Sequence, residues 1–495
     1  MAQELPYTRH ESVAGSGESS LPDRKRRVEL HYQGERMNEK VLELIRKYDR
    51  PGPRYTSYPP APVFSAEYGP KEHLSAIQSV ESSPQNQDLS LYFHIPFCDT
   101  LCYFCGCTTV ITHDRGRMEE YIRYLKTEID LLAARLNPGR RVVQMHWGGG
   151  SPTYLTPAQI RDLGSHIRKS FRFDEDAEVS VEVDPRELMY DHLLSLREAG
   201  FNRMSVGVQD FDPIVQKAVN RVQSEFITRQ AIDWSRELGF TGLNIDLIYG
   251  LPFQTASSFE KTLSRVCGMF PERIAVYNFA YVPRIKPHQR VIRPEDLPSP
   301  ESKLELLFST IGRLSEAGYD YIGMDHFARP DDELARAQRN GTLRRNFQGY
   351  STRAGSDMYG LGMSAISHFG TYYGQNAKTL QEYYRAIDAG TFATRVGYRM
   401  TPDDQLRKSV IMRLMCDLQL DTVRLGKEFE IHFDEYFREA LEKLRPLIDD
   451  GLVTRTPELL TVTSPGRLFL RNIAMCFDAY LLEDRQRTPL YSRTV

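Results

Sequence analysis

Leu91–Thr109 reads LYFHIPFCDTLCYFCGCTT, and this stretch decides how the rest of the chain is read. Four of the seven cysteines lie in it: Cys98, Cys102, Cys105 and Cys107. The apolar, aromatic run Leu89–His94 predicts a strand. Pro96, which has no N–H for a sheet ladder, ends it. The cysteines therefore occupy a loop just past a strand's C-terminal end, and closely spaced thiolates in a loop are how proteins hold a soft metal centre. Zinc sites pair ligands from two separate knuckles. No second CxxC or Cys/His knuckle occurs, since Cys267, Cys416 and Cys476 are scattered. The spacing is three residues, then two, then one. Thiolates at Cys98, Cys102 and Cys105 suit three irons of a 4Fe–4S cluster and leave the fourth iron open. A disulfide does not fit a chain in which nothing else looks secreted.

With 495 residues the chain predicts two or three domains. A net charge of −3 gives no global drive toward nucleic acid or anionic membrane. No run of about 18 apolar residues is present to span a bilayer. No signal peptide opens the sequence, and an oxygen-sensitive cluster with free thiols suits the cytoplasm. Residues 1–36 are polar, without apolar periodicity, and read as a disordered extension. Its run Asp23–Arg27 reads as a solvated charge cluster. Residues 37–88 hold a short helix, with Val41, Leu42, Leu44, Ile45 and Tyr48 at helical spacing. The segment RPGPRYTSYPPAP, Arg50–Pro62, follows, and its prolines exclude a regular element.

From Leu89 the pattern becomes strand then helix, repeated. The expected strands are Leu89–His94, Val142–Trp147, Val179–Asp184, Met204–Gln209, Leu243–Tyr249 and Ile274–Tyr281. The helices between them are Met118–Leu136, Pro157–Ser170, Leu188–Ala199, Glu225–Leu238 and Ser257–Met269. This alternation predicts an α/β fold with a parallel sheet and right-handed crossovers. Six units suit an incomplete, open (β/α)6 barrel over residues 89–375, with its chemistry at the strands' C-terminal ends. Each of those ends carries unusual residues. Strand two ends in HWGGGSPT, His146–Thr153, where three glycines suit close approach of backbone to a ligand. Strand three places Glu182 and Asp184 on one side. Strand four ends at Gln209, strand five carries Asp246 among apolar neighbours, and strand six ends near the small Ala280.

CxxxCxxC after a strand is the signature of radical S-adenosylmethionine enzymes. The longer string HIPFCDTLCYFCGC resembles the oxygen-independent coproporphyrinogen III oxidases of that superfamily. PRYTSYP (Pro53–Pro59), RNFQGYST (Arg345–Thr352), GLGMSAISHFG (Gly360–Gly370) and RNIAMCFD (Arg471–Asp478) extend the likeness from about Tyr48 to Arg493. The resemblance implies a 4Fe–4S cluster and two S-adenosylmethionine molecules per chain. Tyr92, Gly149, Glu182 and Ile366 match positions around the cluster-bound cofactor. Phe104, Gly150, Ser151, Gln209, Arg221, Asp246 and Ala280 match positions around the second. Ser151 stands where threonine is more usual, and the hydroxyl is kept. Only the match promotes Arg221 above a surface arginine. PRYTSYP is expected near the active site, whereas the segments Arg345–Thr352 and Gly360–Gly370 would otherwise read as loops packed under the barrel.

From about Thr379 the pattern turns helical, giving residues 376–495 as a mostly helical C-terminal domain. Phe433, Phe437, Leu441, Leu444 and Ile448 follow helical spacing. The order helix, short hairpin, helix is winged-helix-like. The stretch Asp434–Asp450 carries six acidic and three basic residues, which argues against phosphate contacts. The family instead uses this domain as a cover over the substrate cleft.

The implied activity is oxidative decarboxylation of two propionates of coproporphyrinogen III to vinyls, giving protoporphyrinogen IX. The alternatives are a haem chaperone of the same superfamily, or a radical enzyme on another tetrapyrrole. Chaperones usually carry an aromatic residue where this chain has Cys107. A flavodoxin- or ferredoxin-like electron donor, an electron acceptor and a monomeric state are expected. A substrate with four carboxylates calls for arginines, with Arg54, Arg186, Arg203 and Arg329 as unranked candidates.

Overall fold

The computed structural model describes residues 39–83, 87–353, 355–481 and 491–494. The expected extension, residues 1–36, lies outside them. Twelve strands form one sheet. They are β1 Leu89–Ile95, β2 Arg141–Gly149, β3 Arg172–Val183, β4 Arg203–Gln209, β5 Gly242–Tyr249, β6 Arg273–Asn278, β7 Asp320–Gly323, β8 His326–Ala328, β9 Asp357–Leu361, β10 Ile366–Phe369, β11 Tyr372–Asn376 and β12 Thr394–Arg399. Their order across the sheet is β12-β11-β10-β9-β1-β2-β3-β4-β5-β6-β8-β7.

β1 to β6 pair in parallel, one after another, as the alternation predicts. The crossover helices end where their caps say they should. Helix Pro157–Ser170 opens with proline and a reciprocal Thr156–Gln159 capping box. The edge strands β12 and β7 are not partners, so the barrel stays open.

Four differences from the expected plan matter. A seventh parallel strand, β9, lies against the free side of β1 in the register Tyr92↔Gly360. The segments Arg345–Thr352 and Gly360–Gly370 are not loops, for they contribute to a hairpin (Arg344–Asn346 with Gly349–Ser351) and to strands β9 and β10. β6 stops at Asn278, so Ala280 lies beyond the ladder. The sheet also runs past residue 375, because β12 pairs with β11 after the helix Leu380–Asp388.

Beyond Thr401 the chain is helical, with a three-stranded sheet of Gln419–Asp421, Leu459–Val462 and Val453–Arg455. The helix expected over Asp434–Asp450 is two, Phe433–Tyr436 and Arg438–Asp449, parted at Phe437. The core here includes Leu44, Tyr55 and Tyr58 from the N-terminal segment and Ile322 and Ala328 from the sheet. Tyr55 donates to Asp478, and Tyr373 donates to the Tyr58 carbonyl. PRYTSYP thus lies between the sheet and RNIAMCFD.

Glu128 fixes the added strands. It is 3% exposed. Its carboxylate accepts from the Gly362 N–H at 2.6 Å, the Asn376 amide at 2.7 Å and the Tyr383 hydroxyl at 2.7 Å. All three partners are donors, so an amide at this place leaves at least one N–H facing another donor. Glu128→Gln is expected to cost about 1–3 kcal/mol, read as a lower urea midpoint at unchanged slope. A wild-type midpoint would show that these bonds do not carry the joint.

Candidate functional site

The inner face of the sheet is polar, unlike the Val/Ile/Leu filling of a closed barrel. Alternation along each strand sends Gln144 and His146, Ser180 and Glu182, Arg203 and Ser205, and Asn244 and Asp246 inward. At the lower end Arg203 meets Glu178 and Glu333, and Arg273 meets Asp332 and Glu333. Gln144 donates to Glu178 at 2.8 Å. One layer up, Asp246 accepts from Ser205 at 2.7 Å and from Asn244 at 2.8 Å. Burial pushes its carboxyl up to about 6. Next to it the His146 ring donates to Glu182 at 3.3 Å, and the Gly149 N–H donates to the same carboxylate at 3.1 Å. Burial works against the Glu182 charge, yet these two donors hold it below the usual carboxylate range.

Above this column sits the cysteine loop. Its backbone is pinned from four directions. Val110 and Thr112 N–H groups donate to Pro96 and Cys98 carbonyls, pairing Phe97–Cys98 with Val110–Ile111. Tyr103 N–H donates to Val219, and Asn220 donates to Leu101 at 2.9 Å. His288 donates to the Cys105 carbonyl at 2.8 Å, and Lys286 to Cys107 at 2.9 Å. Gln289 bridges the carbonyls of Phe104 and Ala280. From below, His94 donates through Nε2 to Thr108 at 2.9 Å while its Nδ1 accepts from Tyr92 at 3.0 Å.

The three glycines are required by packing. A Cβ on Gly148 would meet the Glu182 carboxylate at 2.8 Å. One on Gly150 would meet the Pro96 backbone at 2.6 Å. Gly149 has φ +112° and its Cβ would lie 2.5 Å from the His94 ring. The close approach is thus to the cysteine loop and its supports.

One cavity brings together Cys98, Cys102, Cys105 and Cys107 with Phe104, Gly149, Gly150, Ser151, Glu182, Gln209, Arg221 and Asp246. Tyr92 lies a layer below, stacked on His146 at 6.0 Å. Ile366 sits behind it, its backbone against Gly360, the partner of Tyr92. Neither lines this cavity, nor does Ala280. Gln209 has a left-handed backbone, φ +69°, at the strand end, a strained conformation of the kind found at functional sites.

The donor set suits a cluster. All seven cysteines are free. Burial, and then the neighbouring Cys105 and Cys102, push the Cys98 thiol up to about 12. A bound positive centre would favour the thiolate form at such a buried group of sulfurs. Among the described residues no three His, Cys, Asp or Glu side chains converge as single-ion ligands would. Arg186 and Arg221 guanidiniums lie 3.6 and 3.7 Å from Cys102 Sγ. Both also hold Asp184, whose carboxyl stays at about 2 against the opposing pull of burial. Arg221 is 7% exposed, and its Nε has no partner.

Sequence reasoning passed over His94, His146 and the segment Lys286–Gln289. The two histidines follow the inward alternation of β1 and β2 and were legible that way. The segment was not, since nothing local marks a loop after β6 as the support of one after β1. Of the arginines named for substrate carboxylates, Arg54 is taken by Asp325, Arg203 by Glu178 and Glu333, Arg186 by Asp184 and Arg329 by Asp331.

Residues 92–266 match the family model of the radical SAM superfamily, and residues 400–469 match that of the HemN C-terminal domain. Over 454 residues the chain is 49% identical to the oxygen-independent coproporphyrinogen III oxidase of Escherichia coli strain K12, covering 92% of this chain and 98% of that one. The enzyme of the same name from Pseudomonas aeruginosa is 46% identical over 456 residues, again covering 92% and 98%. Among solved structures, that of the E. coli coproporphyrinogen III oxidase HemN, described as a radical SAM enzyme, superposes with a TM-score of 0.85 at 48% identity, covering 89% of this chain and 99% of that one.

Gly149→Ala forces a side chain into a left-handed position and into the His94 ring, and so frees the Thr108 carbonyl from its support. Such backbone strain costs about 1–3 kcal/mol. The variant is expected to have faster alkylation of the loop thiols in metal-free protein, measured residue by residue by mass spectrometry. Wild-type alkylation rates would show that His94 does not hold the loop.

Proposed function

The chain belongs to the oxygen-independent coproporphyrinogen III oxidase family of radical S-adenosylmethionine enzymes, and from that premise we propose how its own residues divide the work. The activity is the oxygen-independent oxidation of coproporphyrinogen III. Two propionates become vinyls, giving protoporphyrinogen IX. The hydrogen to be removed sits on an unactivated carbon, beyond the reach of side-chain acid–base chemistry at neutral pH. When bound, the 4Fe–4S cluster and S-adenosylmethionine supply the 5′-deoxyadenosyl radical that takes it.

The observation that carries the division of roles is the shared cavity, in which three cysteines face the C-terminal ends of β2 to β5. Cys98, Cys102 and Cys105 hold three irons. Gly149 and Glu182 in the cavity, with Tyr92 and Ile366 behind them, would hold the cofactor at the fourth. Phe104, Gly150, Ser151, Gln209, Arg221, Asp246 and Ala280 flank a second S-adenosylmethionine. Arg221 already spends its terminal nitrogens on Asp184, Cys102 and the Gly207 carbonyl. It therefore orients Cys102, and offers a cofactor carboxylate its free Nε. Asp246, with both oxygens facing donors, suits ribose hydroxyls. Cys107 lines the same cavity two residues beyond Cys105, and the reading takes it as a neighbour that tunes the site, distinct from the three ligands.

The helical residues beyond Thr401 act as the cover of the cleft, excluding water and oxygen during turnover. The reading includes a cytoplasmic monomer served by a small electron donor and an acceptor. Seven unpaired cysteines suit a reducing compartment. No helix among the described residues is long and apolar enough to cross a membrane.

The test is an anaerobic assay of reconstituted protein with coproporphyrinogen III, read by protoporphyrin fluorescence after oxidation. Cys102→Ala is expected to lose cluster absorbance and S-adenosylmethionine cleavage together. Cys107→Ser should keep the cluster and lose most of the oxidase turnover. Full iron content in Cys102→Ala, or loss of iron in Cys107→Ser, would overturn these assignments.

A further inference from the structure

Two cations stand where the sheet meets the C-terminal helices, and among the described residues no carboxylate forms an ion pair with either. Arg345, on the hairpin Arg344–Ser351, is 8% exposed. Its Nε and Nη1 are buried and without partners. It lies over the Tyr350 ring at 4.7 Å. Near it, His326 Nδ1 and Gln348 Nε2 are also buried and unpartnered. The nearby Asp325 is taken by Arg54. Buried polar groups are almost always satisfied, so several orphan nitrogens in one place mark missing acceptors.

The second cation is Lys408, on the helix Pro402–Asp417. Its Nζ lies 2.6 Å from His368 Nε2 and 5.3 Å from the Tyr373 ring. Burial without a counter-charge pulls the amine down to about 7. His368 is two residues from Ile366 on β10, and so shares its face of the sheet. The same helix reaches the Arg345 hairpin, since Tyr350 donates to the Met415 carbonyl at 3.0 Å. Seven residues of helix separate Lys408 from that point, about 10 Å.

Other buried cations keep more partners, and even Arg467, whose Nε is also unpartnered, donates to the Tyr321 and Ile322 carbonyls. Arg140 meets Glu81 and Asp357, and Arg203 and Arg273 meet Glu178, Asp332 and Glu333. Arg471 is tied to four backbone carbonyls.

We propose that Arg345 and Lys408 bind carboxylates of the tetrapyrrole substrate and fix it between the sheet and the C-terminal helices. The proposal rests on the coproporphyrinogen reading above. It assigns the substrate's carboxylates to cations without a carboxylate partner, in place of Arg54, Arg186, Arg203 and Arg329, each of which has one. Arg345 offers a planar fork for two-point binding, and Lys408 a single charge that gains its full proton when a carboxylate arrives.

The test uses full-length, reconstituted Arg345→Met and Lys408→Met. Each is expected to raise the KM for coproporphyrinogen III about ten- to a hundredfold. Iron content and substrate-free S-adenosylmethionine cleavage should not change. The urea midpoint should hold or rise, because an uncompensated buried charge has been removed. Arg345→Lys should recover part of the lost affinity. Two outcomes overturn the proposal while wild-type protein remains active: a wild-type KM in both methionine variants, or a lowered midpoint or insoluble protein, which would make the cations structural. Wild-type protein that cleaves S-adenosylmethionine yet yields no protoporphyrin would overturn the functional reading itself, and the anchors with it.

Discussion

An open sheet with charge on its inner face must satisfy every buried charge or leave it for a ligand. That constraint organises this molecule. Desolvating a carboxylate or guanidinium costs several kcal/mol even after relaxation, so the lower column is closed by Arg203, Arg273, Glu178, Asp332 and Glu333. Neutral partners finish it, with Gln144 reaching Glu178 and Ser90 reaching Gln144. Near the top the pattern changes. Glu182 and Asp246 hold their charge with hydrogen bonds from His146, Gly149, Ser205 and Asn244 and still face the cavity. The polarity gradient along the strands separates scaffold from site.

The cysteine loop is the second consequence. It has almost no secondary structure of its own, so its shape is imposed by neighbours. Gly149 permits the His94 ring, His94 holds Thr108, and the loops after β4 and β6 hold Leu101, Tyr103, Cys105 and Cys107. The loop backbone is therefore held by its neighbours, which is how a loop lowers the ordering cost of binding a ligand.

Much of this was legible in the sequence because the signals are local. Helix Pro157–Ser170 was readable to the residue from its proline and capping box. The six strands, the cysteine loop and Glu182, Gln209 and Asp246 at the strand ends follow from period-two alternation and turn chemistry. The strand β9 was not readable. Its partner β1 lies far back in the chain, and its glycines, Gly360 and Gly362, resemble loop punctuation until the backbone of Ile366 is seen 2.5 Å from where a Gly360 Cβ would be. β12, TRVGYR, was missed for a similar reason: it follows a helix and is a strand only because Tyr373 and Tyr398 pair across the sheet. Charge partners were equally hidden. Arg203 and Glu333 meet across 130 residues, and no composition window reveals that one arginine is engaged while Arg345 is not. Arg221 was singled out by family likeness alone, and its burial next to Cys102 and Asp184 was not legible in the sequence.

The joint between sheet and C-terminal helices follows from the same reasoning. Residues from the N-terminal segment, the sheet edge and the C-terminal helices share one apolar core. Arg471 ties Gly52 and Pro53 to Ser492 and Arg493, so both ends of the described chain close on one buried guanidinium. Burial lowers that group to about 10, and it stays charged near neutral pH because four carbonyls face it. Separating the C-terminal helices from the sheet would expose this core at about 25 cal/mol per Å² of apolar surface. The C-terminal helices and the sheet edge thus pack as one unit. The hairpin Arg344–Ser351 and the helix Pro402–Asp417 join that core through Tyr350 and Met415, and the polar inner face of the strands lies on the other side of it.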